Sequence, residues 1–294
     1  MNEQFYTEKM RVKASFEKAA HSYDAAAVLQ REVVARMLER LSLMKITPEL
    51  VLDAGSGTGH AAPLLRQHFP KADLIELDLA LNMLKASRDK DGAAKKWFSL
   101  FAKQTIAVCA DIEQLPLASE SVDVIWSSLT IQWCNTPDAT FKEFARVLKP
   151  GGLVIFSTLG PDTLKELRTA FAGIDQYQHV NRFIDMHDVG DALVNSGLST
   201  PVMDMEYITM TYADAKAVMQ DLKNIGANNH MSGRRAGMLG KAAWAQVQTQ
   251  YETLRSNGKL PCTYEVIYGH AWKPSKKPAL ADGAQIIEFR PRAA

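Results

Sequence analysis

Three glycines, Gly55, Gly57 and Gly59, alternate with other residues directly after a short apolar segment. Asp53 stands two positions before the first of them. Glycine allows a sharp turn and a close approach of the backbone to a bound molecule. At the carboxyl end of a parallel strand, such a turn typically faces a nucleotide or a nucleotide-like ligand. The pattern predicts that residues 53–59 cradle a ligand of that kind.

The spacing of these glycines distinguishes between the classes of ligand that such a turn could bind. A dinucleotide-binding turn has the pattern G-x-G-x-x-G, which brings a pyrophosphate to the start of a helix. Counted from Gly55 and Gly57, the third glycine of that pattern would be residue 60, which is His60. No lysine of a phosphate-binding P-loop follows either. The sequence therefore argues against a nicotinamide-dependent dehydrogenase and against a P-loop protein.

Two further acidic residues follow later apolar segments. Asp78 lies about 20 residues after the glycines, the interval at which a carboxylate commonly holds a ribose. An ionised carboxylate accepts two hydrogen bonds at once, so it suits two ribose hydroxyls. Glu76 is the less favoured choice, because it lies two residues deeper in the predicted strand. Asp111 follows a third apolar segment, and any one of these acids alone is equally compatible with a solvated loop.

The form D-x-G-x-G-x-G resembles motif I of the class I S-adenosylmethionine-dependent methyltransferases. The resemblance implies that the turn packs against the methionine part of the cofactor, that Asp53 anchors its ammonium group, and that Asp111 and Ile112 contact the adenine. It implies the following cofactor site: Asp53, Gly55, Ser56, Gly57, Gly59, Asp78, Leu79, Asp111, Ile112 and Ser128. No metal is implied.

Strand and helix patterns alternate around this motif. Apolar stretches typical of strands occupy residues 49–53, 72–78, 105–110, 121–129 and 153–156, the last after a predicted turn at 150–152. Helical periodicity marks residues 23–43, 60–68, 82–87 and 138–148. Such alternation predicts a doubly wound α/β fold, and the resemblance implies a mostly parallel sheet of seven strands.

The regular alternation of predicted strands and helices ends after residue 158. Helices are predicted at residues 163–171, 187–196, 214–225 and 240–255, and strands at 201–212 and 262–272. We interpret residues 1–48 as an N-terminal helical lid, 49–160 as the cofactor-binding core, and 161–294 as a part that completes the sheet. Residues 213–260 would form a helical insertion before the last strand.

A narrower resemblance covers nearly the whole chain. Residues 15–24 (SFEKAAHSYD), 27–31, 128–134 (SLTIQWC), 221–228 and 264–274 (YEVIYGHAWKP) resemble the malonyl-acyl carrier protein O-methyltransferases of biotin synthesis. The resemblance implies transfer of the cofactor's methyl group to the free carboxyl of a malonyl thioester carried on an acyl carrier protein. One departure is Ser56, where many members have cysteine; the backbone matters more than the side chain there.

The implied reaction needs alignment more than proton transfer. A malonyl carboxylate is already ionised at pH 7, because carboxyl pKa values lie near 4. The site must mainly hold oxygen, methyl and sulfur in line. Tyr23, Gln132, Trp133 and Arg182 are the predicted aligning residues. The alternatives are a core tyrosine for Tyr23, plain packing for Trp133 and a surface arginine for Arg182.

The net charge and the cysteine content limit the kinds of binding partner and the cellular compartment. The net charge of +1 indicates neither a nucleic acid nor a membrane surface. A local basic cluster of Arg234, Arg235 and Lys241 is either a docking site for the acidic carrier protein with its malonyl-phosphopantetheine arm or a solvated loop. The three cysteines form no C-x-x-C pair, so neither a zinc site nor a disulfide framework is implied.

The remaining features favour a cytoplasmic enzyme. The first residues have no apolar signal region, and no run of about 18 apolar residues predicts a membrane span. Two other functions stay open at this point. One is methylation of a small free acid or a quinone precursor on the same fold, since fold does not fix function. The other is a non-catalytic protein that binds S-adenosylmethionine.

Overall fold

A computed structural model describes residues 6–94 and 105–275 of the chain. The outer ends of the predicted lid and of the predicted C-terminal part, residues 1–5 and 276–294, lie outside them. One sheet of seven strands has the order β3-β2-β1-β4-β5-β7-β6. Its strands are β1 (Leu50–Ala54), β2 (Asp73–Asp78), β3 (Thr105–Cys109), β4 (Val122–Ser128), β5 (Leu148–Leu159), β6 (Ser199–Tyr212) and β7 (Leu260–Trp272).

The sheet confirms the predicted doubly wound α/β class. Strands β1 to β5 pair in parallel, whereas β7 runs antiparallel between β5 and β6. The chain moves outward from β1 to β3 and then returns to place β4 on the other side of β1. A sheet whose strand order reverses in this way opens a crevice at the carboxyl ends of the two central strands.

The helices cover both faces of the sheet. They are α1 (Lys9–Ala19), α2 (Tyr23–Ala26), α3 (Val28–Ser42), α4 (Ala62–His68), α5 (Leu81–Ala94), α6 (Pro137–Val147), α7 (Lys165–Phe171), α8 (Met186–Asn195), α9 (Ala215–Asn224) and α10 (Lys241–Glu252). Successive residues of β1, Val51 and Leu52, enter different apolar cores, because neighbouring side chains of a strand point to opposite faces. One core contains Met37 of α3, and the other contains Phe141 and Phe144 of α6.

The predicted helix over residues 23–43 is wrong as a single element. The chain breaks at Ala27, whose ψ of 49° is not helical, and α3 then runs from Val28 to Ser42. The guanidinium of Arg31 donates to the carbonyl oxygen of Asp24 across this break, at 2.6 Å. Helix α1 precedes the break and lies within the predicted helical lid, although the sequence patterns did not give its bounds.

The predicted turn at residues 150–152 is also wrong as a boundary, because β5 already begins at Leu148. Residues 148–153 of β5 bulge out of the ladder with β4, and Gly151 has a φ of +82°. The backbone of Gly151 and Gly152 nonetheless remains hydrogen-bonded to the residue that follows β7. Gly151 N–H donates to the carbonyl oxygen of Lys273, and Lys273 N–H donates to that of Gly152.

The connection between β6 and β7 carries α9 and α10 and reaches back to the N-terminal segment. Thr7 forms an isolated antiparallel bridge with Met231, and Glu8 N–H donates to the carbonyl oxygen of His230 at 3.0 Å. These contacts hold the start of α1 over the crevice. Within residues 6–94 and 105–275, no helix combines the length and apolar character that crossing a membrane requires.

Candidate functional site

A crevice with two compartments lies at the carboxyl ends of β1 and β4. The first compartment contains about 620 Å³ of free space and the second about 500 Å³. The two compartments share four lining residues: Tyr23, Gly55, Gly57 and Ser128. A single elongated ligand that crosses the glycine turn could therefore occupy both.

The three glycines of the turn have different reasons for lacking a side chain. All three have positive φ angles, +87° at Gly55, +54° at Gly57 and +76° at Gly59. A Cβ on Gly55 would collide with Thr130, and one on Gly59 would collide with Ser87. A Cβ on Gly57 would have no atom nearer than 3.9 Å. Gly57 thus faces free space, whereas Gly59 is required by packing and lines neither compartment.

Asp78, at the end of β2, is held from both sides by the backbone. One carboxylate oxygen accepts the N–H of Gly57 at 2.9 Å, and the other accepts the N–H of Ala80 at 2.8 Å. Burial raises the pKa of Asp78 to about 6, and the two N–H donors offset only part of that shift. Lone pairs remain on both oxygens for donors from a ligand in the first compartment, where Leu79 also lies.

The second compartment contains buried polar atoms without partners. Asp53 is 1% exposed, and among the residues that the structure describes no hydrogen-bond partner is found for its Oδ2, for Oγ of Ser56 or for Oε1 of Gln30. Burial, followed by the charges of Glu76 and Asp78, raises the pKa of Asp53 well above its usual range. Buried polar groups of folded proteins nearly always have a partner, so these three acceptors indicate a missing donor such as an ammonium group.

Arg31 of α3 adds a positive charge to this second compartment. Its Nη1 donates to the carbonyl oxygen of Asp24, which fixes the side chain at the wall. The carboxylate of Asp24 is itself held by Oγ1 of Thr58 at 2.5 Å and by Nζ of Lys90 at 2.5 Å. Sequence reasoning missed Arg31 and Gln30 as site residues, although both lie in the 27–31 stretch that carries the narrower resemblance.

The far end of the first compartment is closed by a salt-bridge network. Nζ of Lys9, on α1, lies 2.7 and 2.9 Å from the two carboxylate oxygens of Asp111 and 2.7 Å from Glu113. Ile112, between the two acids, lines the compartment with only 5% of its surface exposed. Lys9 was not predicted, because nothing in the sequence places it beside a segment about a hundred residues away.

Two of the four predicted aligning residues line the crevice. Tyr23 lies at the wall shared by both compartments. Burial, followed by the charges of Asp78 and Asp24, raises the pKa of Tyr23 above its usual value, so its hydroxyl remains a donor. Trp133 lines the first compartment and meets the ring of Phe16 edge-on, with 5.4 Å between centroids. Ser128, at the end of β4, lines the same compartment.

The other two predicted aligning residues lie elsewhere. Gln132 donates to the carbonyl oxygen of Leu129 at 2.7 Å and accepts from Oγ1 of Thr158, and it lines neither compartment. Arg182 is exposed on the segment before α8 and lines neither compartment. The structure therefore brings Tyr23 and Trp133 together at the crevice and leaves Gln132 and Arg182 outside it.

The first compartment offers hydrogen-bond donors but few groups that could act as a general base. None of its described lining residues is a histidine. Burial raises the pKa of the Cys134 thiol to about 12, so it carries its proton at pH 7. Asp78 and Asp111 are already engaged by backbone N–H groups and by Lys9, respectively. Such a site can bind and align an acceptor that arrives ionised.

Comparisons with known proteins agree with this geometry. A family model described as "Methyltransferase domain" matches residues 52–156, which include the glycine turn. A malonyl-[acyl-carrier protein] O-methyltransferase from Laribacter hongkongensis is 59% identical over 100% of this chain and 99% of its own length. One of the same name from Gallionella capsiferriformans is 55% identical over 98% of each chain.

A solved structure shows the same fold at low sequence identity. The YcgJ protein from Bacillus subtilis superposes with a TM-score of 0.59 at 14% identity, covering 83% of this chain and 99% of that protein. The fold, the crevice and the end-to-end likeness to curated relatives lead to one assignment. The chain belongs to the malonyl-[acyl-carrier protein] O-methyltransferase family.

Proposed function

We propose that this chain transfers the methyl group of S-adenosylmethionine to the free carboxyl of a malonyl thioester on an acyl carrier protein. The cofactor assignment rests on the polar side chains of the second compartment. There the unpartnered oxygens of Asp53, Ser56 and Gln30 lie with the guanidinium of Arg31. This combination fits an amino acid, which brings both an ammonium and a carboxylate. The likeness to the curated family over the full chain supports the acceptor.

The proposed binding mode places the cofactor across the glycine turn. Asp78 receives the ribose hydroxyls in the first compartment, and Asp111 and Ile112 flank the adenine there. In the second compartment, Asp53 faces the ammonium and Arg31 the carboxylate. Gly57, which leaves free space where a side chain would stand, allows the ligand to pass between the two.

The chemistry follows from the charges of the reactants. The cofactor supplies a methyl group made electrophilic by a positively charged sulfur. An oxygen of the malonyl carboxylate forms a bond to the methyl carbon as the bond to sulfur breaks and its electron pair stays on sulfur. No proton moves, so a base is not required. The two charges neutralise each other, which a compartment that excludes water favours.

Tyr23 and Trp133 have separate parts in this proposal. The hydroxyl of Tyr23 stays protonated and lies at the wall shared by both compartments, so it can donate to the malonyl carboxylate and hold it in line. The ring of Trp133 forms an apolar wall that keeps water from the reacting atoms. The product is a methyl ester, which hides the carboxylate charge. The carrier-bound chain can then be extended toward the pimeloyl thioester of biotin synthesis.

The three cations first considered for carrier docking differ in their surroundings. Nη1 of Arg235 is paired with Asp175 at 3.0 Å, so much of its charge is compensated. Lys241 is exposed at the start of α10. Arg234 lines a groove beside α1. Of the three, Arg234 has the position best suited to meet an acidic partner near the crevice.

A side-by-side transfer assay tests the proposed function. Labelled S-adenosylmethionine is supplied with malonyl carrier protein, malonyl coenzyme A, free malonate and a quinone precursor. We expect a base-labile ester on the malonyl carrier protein. Transfer only to free acids or to the quinone precursor would favour a small-molecule methyltransferase instead. Cofactor binding without transfer to any acceptor would favour a non-catalytic binding protein.

A growth experiment tests the proposed place in metabolism. The gene for this chain is introduced into a bacterium that requires biotin because its own carboxyl methyltransferase has been deleted. We expect growth without added biotin. A variant with Asp78→Asn serves as the matched control, because it should fold but bind the cofactor poorly. Failure of the wild-type chain to restore growth, with protein detectable in the cells, would contradict the role in biotin synthesis.

A further inference from the structure

A wide groove lies on the side of α1 that faces away from the first compartment. It contains about 1230 Å³ of free space between α1 on one side and the end of α9 with the connection that follows it on the other. Four of its lining residues are permanently positive: Arg11, Lys18, Lys223 and Arg234. No carboxylate is among the described residues that line it. We call this surface, defined by those four cations, the basic groove.

Most of the positive charge in the basic groove is uncompensated. Lys18, Lys223 and Arg234 form no ion pair within residues 6–94 and 105–275, while Arg11 is paired with Glu8. This concentration of charge contrasts with the net charge of +1 for the whole chain. A local field of one sign in a concave surface attracts ligands of the opposite sign and raises their rate of association.

The basic groove and the cofactor crevice meet at one pair of rings. His230 lines the groove, and its ring lies 5.6 Å from that of Trp133, which lines the first compartment. Burial lowers the pKa of His230, so its ring is neutral at pH 7 and adds no charge where the groove and the crevice meet. A chain-like group whose anionic end sits in the groove could therefore reach the crevice past His230 and Trp133.

We propose that the basic groove is the docking surface for the carrier protein, with the phosphodiester of its phosphopantetheine arm between Lys18, Lys223 and Arg234. This inference rests on the proposed function, which requires an acceptor delivered on such an arm. The arm passes His230 and Trp133 to bring the malonyl carboxylate to Ser128. Amide side chains at the groove wall, Asn224, Asn228 and Asn229, suit the amide groups of the arm.

The test reverses charge at two exposed positions of the basic groove. The double variant Lys18→Glu/Lys223→Glu is compared with wild type in the KM for malonyl carrier protein and in the affinity for S-adenosylhomocysteine. We expect the KM to rise at least about tenfold at low salt, with the affinity for the cofactor product unchanged. The difference in KM should shrink as salt is added, because salt screens exposed charges.

Two matched variants locate the effect. Each control replaces one exposed lysine by glutamate outside the basic groove. Lys142→Glu does so on α6, and Lys241→Glu does so at the start of α10. Both should keep the wild-type KM. An unchanged KM in the double variant would overturn the docking surface, as would an equal rise in either single variant. A wild-type chain that transfers no methyl group to malonyl carrier protein would instead refute the proposed function.

Discussion

Three carboxylates at one crevice have three different electrostatic environments. Asp53 is buried with an unpartnered oxygen, Asp78 is held by two backbone N–H groups, and Asp111 is paired with Lys9. All three were expected from the sequence to lie at strand ends. The donors to Asp78 come from the glycine turn and from its own neighbour Ala80, whereas the Lys9 partner of Asp111 comes from a distant segment and was not expected.

The raised pKa of Asp78 predicts how cofactor affinity depends on pH. In the proposed binding mode the ribose hydroxyls donate to the ionised carboxylate of Asp78, so binding favours its charged form. Because the pKa of Asp78 is about 6 before binding, the affinity for S-adenosylhomocysteine should be constant above that pH. Below it, the affinity should fall by up to about tenfold per pH unit. Calorimetric titrations between about pH 5 and 8 measure this.

The variant Asp78→Asn tests whether this pH dependence comes from Asp78 or from another titratable group. The amide keeps the shape of the carboxyl but not its charge, and loss of a charged hydrogen-bond acceptor should weaken binding about 10- to 100-fold at pH 7.5. The break near pH 6 should disappear with the substitution. A break that persists unchanged in the variant would assign the titration to another group.

Arg31 should discriminate between ligands with and without an amino-acid end. Arg31→Met removes the cation facing the proposed carboxylate position, so the affinity for S-adenosylhomocysteine should fall about 10- to 100-fold. Methylthioadenosine lacks that carboxylate, and its affinity should not change. Competition calorimetry with the two ligands measures both. Equal losses for the two ligands would show that the substitution disturbs the crevice in general.

Tyr23→Phe tests the alignment of the acceptor. The substitution removes only the hydroxyl, so kcat for malonyl carrier protein should fall about 10- to 100-fold, the loss expected for one hydrogen bond to a charged group. The affinity for S-adenosylhomocysteine should stay close to that of wild type. A loss of affinity as large as the loss of kcat would place the hydroxyl on the cofactor instead.

The N-terminal helices are the elements for which the sequence was least informative. The periodicity of residues 28–41 identified the face of α3 that packs on the sheet, but not the break at Ala27. Helix α1 buries only Val12 and Ala19 completely, because it covers a crevice rather than a core. An element of this kind lacks the broad apolar stripe by which surface helices are recognised.

Lys9 joins α1 to the loop after β3, and its loss should loosen that cover. In Lys9→Met, Asp111 and Glu113 face each other without their shared cation. We expect the free energy of unfolding to fall by about 1 kcal/mol and S-adenosylhomocysteine to dissociate several times faster. Chemical denaturation and stopped-flow displacement measure the two effects.

Lys13→Met is the control for this element, because it removes a lysine from the same helix without an ion pair to the crevice. It should leave the dissociation rate as in wild type. An unchanged or slower dissociation in Lys9→Met would show that the salt-bridge network does not hold α1 over the bound ligand.

At the scale of the molecule, the order of strands and helices could be predicted because each element carries its own pattern. The glycine turn and the acids at strand ends could be predicted because they are local in sequence. Lys9 and Arg31 could not, because they reach the crevice from distant segments through the packing of α1 and α3. The contact of His230 with the ring of Trp133 could not be predicted either, because His230 lies on the connection after α9. Arg182 shows the converse, a residue of suitable type that the fold leaves outside the crevice.

The most direct test of the account is calorimetric titration of the purified, folded chain with S-adenosylhomocysteine. We expect one molecule bound per chain, with affinity reduced in both Asp78→Asn and Arg31→Met because each compartment contributes. Circular dichroism of the three proteins confirms that they are folded. No uptake of this ligand by the folded wild-type chain would contradict the central claim that the two compartments form a single S-adenosylmethionine site.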